Sequence, residues 1–241
     1  MQGKLYLIPA PISESTSEKT LPAYNLKIIN SIRFFIVENV RTARRFLSEI
    51  KILTPIDELI FYTLNKHSQA EEIPSFLNPI EKGSHIGLLS EAGTPCIADP
   101  GAVIVEMAHK KNIEVIPLTG PSSVILALMA SGLNGQNFTF LGYLPINKAD
   151  KIKTIKQIEK KSAINKQTQI FIEAPYRNNQ LFEDLVQHCQ PSTLLCIATA
   201  ITSDNEYIKT KPIYEWKKVK IDLNKKPVIF LLQHVSGLKR T

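Results

Sequence analysis

Cysteine is scarce in this chain, and what there is falls in no pattern. Cys96, Cys189 and Cys196 are an odd three among 241 residues, with no Cys-x-x-Cys pair. Such a set implies no disulfide framework, so a reducing compartment is the default. His67, His85, His109, His188 and His234 stand apart, none at ligand spacing from another. No zinc or other metal site is expected. The chain has no Gly-x-Gly-x-x-Gly after its first apolar run and no Gly-Lys-Ser/Thr phosphate loop. Those absences argue against NAD enzymes and phosphate-loop ATPases. No apolar run approaches the length of a membrane span. The stretch after Lys4 is too short for a signal peptide and reads as a first strand. A cytoplasmic protein with no membrane partner is expected. Aromatics are only 7%, with one tryptophan, Trp216, but a hydrophobic content of 44% suffices for a normal core.

Acidic residues are also in deficit. There are 22 against 29 lysines and arginines, a formal net charge of +7. An excess of this size fits a polyanionic partner without requiring one. Part of it is clustered. Seven lysines lie between Lys148 and Lys166, Lys151 among them, and five between Lys217 and Lys226. A solvated helix face and a loop would explain these clusters, and so would an RNA-contact surface.

What the chain does have is a succession of apolar runs that empty into loops of small residues. Strands are expected at Lys4–Ile8, Phe34–Val37, His85–Leu89, Glu114–Leu118, Phe138–Leu144, Gln169–Glu173, Leu194–Ala200 and Val228–Gln233. Their apolar runs are mostly continuous, as in strands covered on both faces. Helical patterns lie between them, at Leu21–Ser31, Thr42–Ile50, Ala102–Lys111, Val124–Ser131, Lys148–Lys161 and Asn178–Cys189. In the last, Leu181, Leu185 and Cys189 make a stripe suited to core packing. The alternation predicts a parallel α/β fold. The polar turn cluster Leu133–Asn137 predicts a boundary between two α/β domains, 1–134 and 135–241, with a ligand cleft between them. The stretch 205–224 reads as an antiparallel excursion.

The most informative loop is Ser90-Glu91-Ala92-Gly93-Thr94-Pro95-Cys96-Ile97-Ala98-Asp99-Pro100-Gly101. It follows an apolar run, carries two glycines, two prolines and two acids, and leads into a helix. Open α/β sheets bind ligands in such loops, beyond the carboxyl ends of the strands. Two further runs end alike, in Pro9-Ala10-Pro11 and in Thr119-Gly120-Pro121-Ser122-Ser123. Ser122 or Ser123 can cap the helix that follows, whose free N–H groups suit an anion.

Ser-Glu-Ala-Gly-Thr-Pro at 90–95, Ala-Asp-Pro-Gly at 98–101, Gly-Pro-Ser at 120–122 and Glu-Ala-Pro-Tyr-Arg at 173–177 together resemble one family. It is the tetrapyrrole-methylase-like class of S-adenosylmethionine methyltransferases. Within it, the chain resembles the branch that methylates the ribose 2′-hydroxyl of a cytidine in the decoding region of 16S ribosomal RNA. The resemblance runs from Lys4 to about His234. It implies a two-domain fold of the tetrapyrrole methylase type with S-adenosylmethionine in the interdomain cleft. The implied cofactor contacts are Pro9, Ser90, Gly93, Thr94, Ile97, Gly120, Ser122 and Ser123 from the first domain, and Tyr143, Leu144, Ala174 and Ala200 from the second. Ribosomal RNA or the small ribosomal subunit is the implied partner, and a homodimer the implied state.

The chain departs from the branch at four places. Its first loop, Ser13–Thr20, is longer and lacks a Gly-Asn pair. Asn39 replaces an aspartate, Glu91 replaces another, and Tyr176 replaces a histidine. These changes keep three rivals in play: methylation of a tetrapyrrole, methylation of a protein, and a non-catalytic protein that binds cofactor or RNA. The tetrapyrrole branch, however, carries a Gly-x-Gly-Pro-Gly-Asp motif absent here. A ribose hydroxyl must lose its proton, and Glu38, Glu91 and Glu173 each end a strand on the ligand side, which makes them candidate catalytic bases. Each could instead cap a helix or pair with Arg41 or Arg177. Arg41 and Arg45 share a helix face, and with Arg177 they are the candidate substrate-binding residues, because a guanidinium fork suits phosphate. Structural ion pairs would equally explain them.

Overall fold

Leu5–Ile8 (β1), Phe34–Val37 (β2), Ile60–Thr63 (β3), Ile86–Leu89 (β4) and Val115–Pro117 (β5) make one sheet in the computed structural model, which describes residues 2–235. Its order is β3-β2-β4-β1-β5, and every pairing is parallel. Among the described residues of this first unit the helices are α1 (Ser17–Thr20), α2 (Ala23–Ile29), α3 (Val40–Glu49), α4 (Asn78–Glu81) and α5 (Ala102–Lys110). The strands are short and β4 is buried throughout. Their alternate side chains feed two separate cores. Tyr6, Ile8, Phe35, Val37 and Leu89 pack with Ala43, Phe46 and Leu47 of α3. Leu5, Ile36, Ile86 and Leu88 pack on the other face with Ile104 and Ala108 of α5. The connections after β2 and β4 thus lie on opposite faces, the topology that opens a crevice at the carboxyl ends of adjacent strands.

The second unit begins with α6 (Ser123–Ser131) and continues through β6 (Phe138–Tyr143), α7 (Lys148–Asn165), β7 (Thr168–Ile172), α8 (Asn178–His188), β8 (Leu194–Thr199), β9 (Tyr207–Pro212), α9 (Ile213–Trp216) and β10 (Val228–Gln233). Its sheet has the order β6-β7-β10-β8-β9. Only β6 and β7 pair in parallel; β10 runs antiparallel to β7 and β8, and β9 antiparallel to β8. The expectation of parallel sheets holds for the first unit and is corrected in the second. A continuous apolar run reports cover on both faces and carries no information on direction. β6, β7 and β8 all point the same way, so Tyr143, Ala174 and Ala200 sit at one end of the sheet. The core gathers Phe171, Phe230, Phe182 and Trp216, with Leu181, Leu185 and Cys189 of the expected α8 stripe. Trp216 is 1% exposed, and its indole N–H donates to the Leu195 carbonyl at 2.8 Å.

The chain divides after Ser122, one helix earlier than the turn cluster at 133–137. The reason is packing: α6 lies against β9 and β10, and Thr210 Oγ1 donates to the Ser131 carbonyl at its end. Among the described residues no helix is long and apolar enough to cross a membrane.

Candidate active site

In the first unit, three loops meet at the carboxyl ends of β1, β4 and β5. Ala10 and Gly93 exchange backbone hydrogen bonds of 2.9 and 3.0 Å, tying the loop after β1 to the loop after β4. Gly93 has φ +72°, and a Cβ there would meet the Pro121 carbonyl oxygen at 3.4 Å. Gly120 lies tighter: its Cβ would fall 2.2 Å from Pro9 Cγ. Pro9, Gly93 and Gly120 therefore converge through close backbone approach. Ser90 Oγ turns inward to the Gly93 carbonyl at 3.2 Å. Thr94 is half-buried and Ile97 is 52% exposed, an apolar side chain with no core to join.

The loop from Ser90 to Gly101 is held by a residue not singled out from the sequence. The Asp99 carboxylate accepts from the backbone N–H groups of Cys96 (2.8 Å) and Gly101 (2.7 Å). Cys96 (φ +68°) and Ala98 (φ +64°) both occupy the left-handed region, which costs energy for residues with a Cβ. Asp99 supports that conformation. The Asp-Pro-Gly sequence was its signal, because an aspartate two residues before a glycine forms an Asx turn. Burial, then the Asp99 charge, pushes the Cys96 thiol up to about 11, which disfavours its thiolate form.

Two of the three candidate bases come together. The Glu38 carboxylate accepts from the Glu91 backbone N–H, while Glu91 Oε1 accepts from Thr42 Oγ1 at 2.6 Å. Burial, followed by the charges of Asp99 and Glu91, holds the Glu38 carboxyl above its usual range. Asn39 caps α3, its Oδ1 accepting from the Arg41 N–H at 2.9 Å. A cavity of about 330 Å³ opens beside this cluster, with Phe46 in its wall and Glu49, Glu91 and Arg45 around it. The Ser13–Thr20 segment forms another wall. It folds through α1 onto α3, with Ser17 Oγ donating to Glu49 at 2.5 Å and Glu14 pairing with Arg45 at 3.4 Å. Arg41 is exposed and has no ion-pair partner among the described residues.

The third candidate, Glu173, lies elsewhere, in the second unit. Its side chain is fully buried, and Oε1 accepts from Arg177 Nε (2.9 Å), Arg177 Nη2 (2.6 Å) and the Ala174 N–H (2.8 Å). Burial alone would raise this carboxyl. The bonds from Arg177 and Ala174, with the charges of Arg177 and Lys151, outweigh it and hold it low. Glu173 is an ion-pair partner, the alternative that its sequence left open. Tyr143 is 61% exposed at the end of β6, beside the turn that carries Ala174. Leu144 is buried in the core, so any ligand contact there is through its backbone. Ala200, with φ +52°, closes the end of β8.

No family model matches the chain. Individual relatives do. The ribosomal RNA small subunit methyltransferase I of Buchnera aphidicola subsp. Schizaphis graminum is 31% identical over 240 residues, 98% of this chain and 79% of that protein. The chain belongs to this family. The family member from Escherichia coli O157:H7 is 28% identical over 96% of this chain and 78% of its own length. Family members are methyltransferases, and so is this chain. Solved structures place the fold. The methyltransferase CobJ matches with a TM-score of 0.66 at 13% identity, over 99% of this chain and 97% of its own. The uroporphyrin-III-C-methyltransferase from Thermus thermophilus matches with a TM-score of 0.57 at 18% identity, over 99% and 95%. The two-domain α/β fold is that of the tetrapyrrole methylases.

Proposed function

We propose that the protein transfers a methyl group from S-adenosylmethionine to a ribose 2′-hydroxyl of small-subunit ribosomal RNA, with a cytidine of 16S RNA as the acceptor suggested by resemblance. The observation that carries this reading is the kinship over 98% of the chain, joined to the convergence of the Pro9, Gly93 and Gly120 loops. Those loops offer backbone groups, a shaped turn and an exposed Ile97, features that fit an uncharged adenosyl group with a short charged tail. Thr94 and Ser122 of the first unit would hold it. S-adenosylmethionine, when bound, supplies an electrophilic methyl with a neutral leaving group.

The chain's own task is to align the hydroxyl, exclude water and take up the proton. Glu38 is assigned the proton, because burial and its carboxylate neighbours move it toward the range where a base works well. Glu91, engaged by Thr42, supports it. The cavity beside them is acidic, through Glu14, Glu49 and Glu91 against Arg45. That surface suits a sugar hydroxyl and repels a phosphate, so backbone phosphates belong outside it, near Arg41.

Unmethylated 30S subunits, given labelled S-adenosylmethionine, test the reading. Label on ribose in 16S RNA is the expected result, located by nuclease digestion and mass spectrometry. Thr94→Trp, which fills the ligand side of the loop, should abolish cofactor heat in calorimetry and the label with it. A wild-type protein that binds the cofactor but labels no RNA would show that the altered 13–20 loop and Asn39 belong to a different acceptor.

A further inference from the structure

Lys151 is the unexpected residue of the second unit. It sits in the first turn of α7, within a run of lysines, yet it is only 3% exposed. Its ammonium lies 3.6 Å from Glu173 Oε2 and 3.9 Å from Asp184 Oδ2 of α8. Both carboxylates are buried, and neither of those two oxygens has a hydrogen-bond partner among the described residues. The remaining oxygens are engaged: Asp184 Oδ1 accepts from Gln180 at 3.1 Å, and Glu173 Oε1 accepts from Arg177. Lys151, Glu173, Asp184 and Arg177 thus form a charge-balanced quartet, three members buried and the fourth, Arg177, 24% exposed. Apolar residues of similar volume would fill such a place at no loss of stability. A buried quartet that ends on one accessible guanidinium has another use.

That guanidinium is fixed in three ways. Two of its N–H groups are held by Glu173. A third donates from Nη1 to the Tyr176 hydroxyl at 2.9 Å, and Arg177 Cζ stands 5.0 Å from the centroid of the Tyr176 ring. Arginine has five N–H donors, so two remain for a ligand. Tyr176 is itself 68% exposed. Two distant segments join this turn. Tyr143 ends the neighbouring parallel strand, and the Lys225 N–H donates to the Pro175 carbonyl at 3.0 Å, which brings the backbone at Lys225 alongside. Exposed aromatic rings interleaved with fixed cations are the surface on which single-stranded nucleic acid stacks its bases and sets its phosphates.

We infer that Tyr176, Arg177 and Tyr143 form a single-stranded RNA platform, and that Lys151 and Asp184 are positioning residues which hold it ready through Glu173. The inference rests on the RNA reading above and adds to it a contact region in the second unit. In mechanism, a loosened Glu173 would let the Arg177 fork rotate off the Tyr176 ring, and the strand would lose both a stacking face and an oriented cation.

The test uses the full chain and a fluorescent, mixed-sequence single-stranded RNA oligonucleotide. Tyr176→Ala should weaken binding by about fivefold to 150-fold, the range for one stacked base. Arg177→Gln should weaken binding and reduce the log–log salt slope by about 0.7, one phosphate contact. Lys151→Met with Asp184→Asn removes one charge of each sign and keeps the quartet balanced. It should lower affinity with Tyr176 and Arg177 intact, and broaden the Arg177 Nε–H resonance by faster exchange. Unchanged affinity in both Tyr176→Ala and Arg177→Gln would overturn the platform. An unchanged Nε–H signal and affinity in the balanced double variant would overturn the positioning role. Should the wild type label 30S subunits yet fail to hold the oligonucleotide, the platform falls and the substrate reading stands. Oligonucleotide binding without label on 30S would leave the platform standing and remove the substrate reading.

Discussion

Three glutamates end strands in this chain, and their neighbours give them different chemistry. Glu38 is pushed up by burial and by two carboxylates, so activity should fall as pH drops through its raised value. Glu38→Gln should lower kcat by roughly a hundredfold or more while KM for 30S subunits stays level, a split that steady-state kinetics reads directly. Glu173 is held low, which makes it a stability group. Its contribution is fully present above the ordinary value of 4.5 and is lost as pH falls through its lower folded value. Glu173→Gln should therefore be less stable than wild type at pH 7, with the gap in urea midpoints narrowing below about pH 4.5. Gly120 is constrained by space alone. With Pro9 Cγ only 2.2 Å from an added Cβ, Gly120→Ala should cost about 1–3 kcal/mol, seen in chemical denaturation, and should weaken cofactor binding by displacing the Pro9 loop. All three glutamates were legible as candidates because strand ends are visible in the sequence. Which one binds an arginine and which one stays acidic was not, because the deciding neighbours are distant in the chain.

At the scale of elements, α3 explains one departure from the family pattern. Asn39 caps the helix with its side-chain oxygen, a role asparagine and aspartate fill equally well. Asn39→Ala should destabilise by about 1 kcal/mol, whereas Asn39→Asp should stay within a few tenths, its added charge favoured by the helix dipole. Thermal melts of the two variants separate these outcomes. The cost of losing the aspartate is thus in charge at the rim and not in folding. The same helix carries the two arginines that share a face. Arg45 is paired with Glu14 on the cavity wall and Arg41 is exposed, so Arg41→Gln should lower the salt slope of RNA binding by about 0.7 and Arg45→Gln by less. Most elements were visible as apolar runs, yet β3 was not: its four residues are exposed or half-buried, and their strand character comes from pairing with β2. Helix α7 runs past Lys161 to Asn165 because Lys166 accepts a left-handed conformation and closes it.

At the scale of the whole molecule, the net charge of +7 is carried by one unit: residues 123–241 have 17 lysines and arginines against 9 acids, a net +8, whereas residues 1–122 have 12 against 13, a net −1. A homodimer is proposed from the resemblance. Sedimentation equilibrium of the purified chain checks it, with a single species of twice the chain mass as the expected outcome.

Local order alone determined a good deal: where the strands stop, where loops of glycine and proline begin, and the motif series that marks the family. These are properties of consecutive residues, set by backbone sterics and apolar periodicity. Tertiary structure decided the direction of β8, β9 and β10, the convergence of Pro9 with Gly120, and the burial of Lys151. Strand direction depends on pairing, and pairing joins segments far apart in the chain. The charge on a lysine says that it prefers water; only the two carboxylates brought to it by β7 and α8 make burial tolerable.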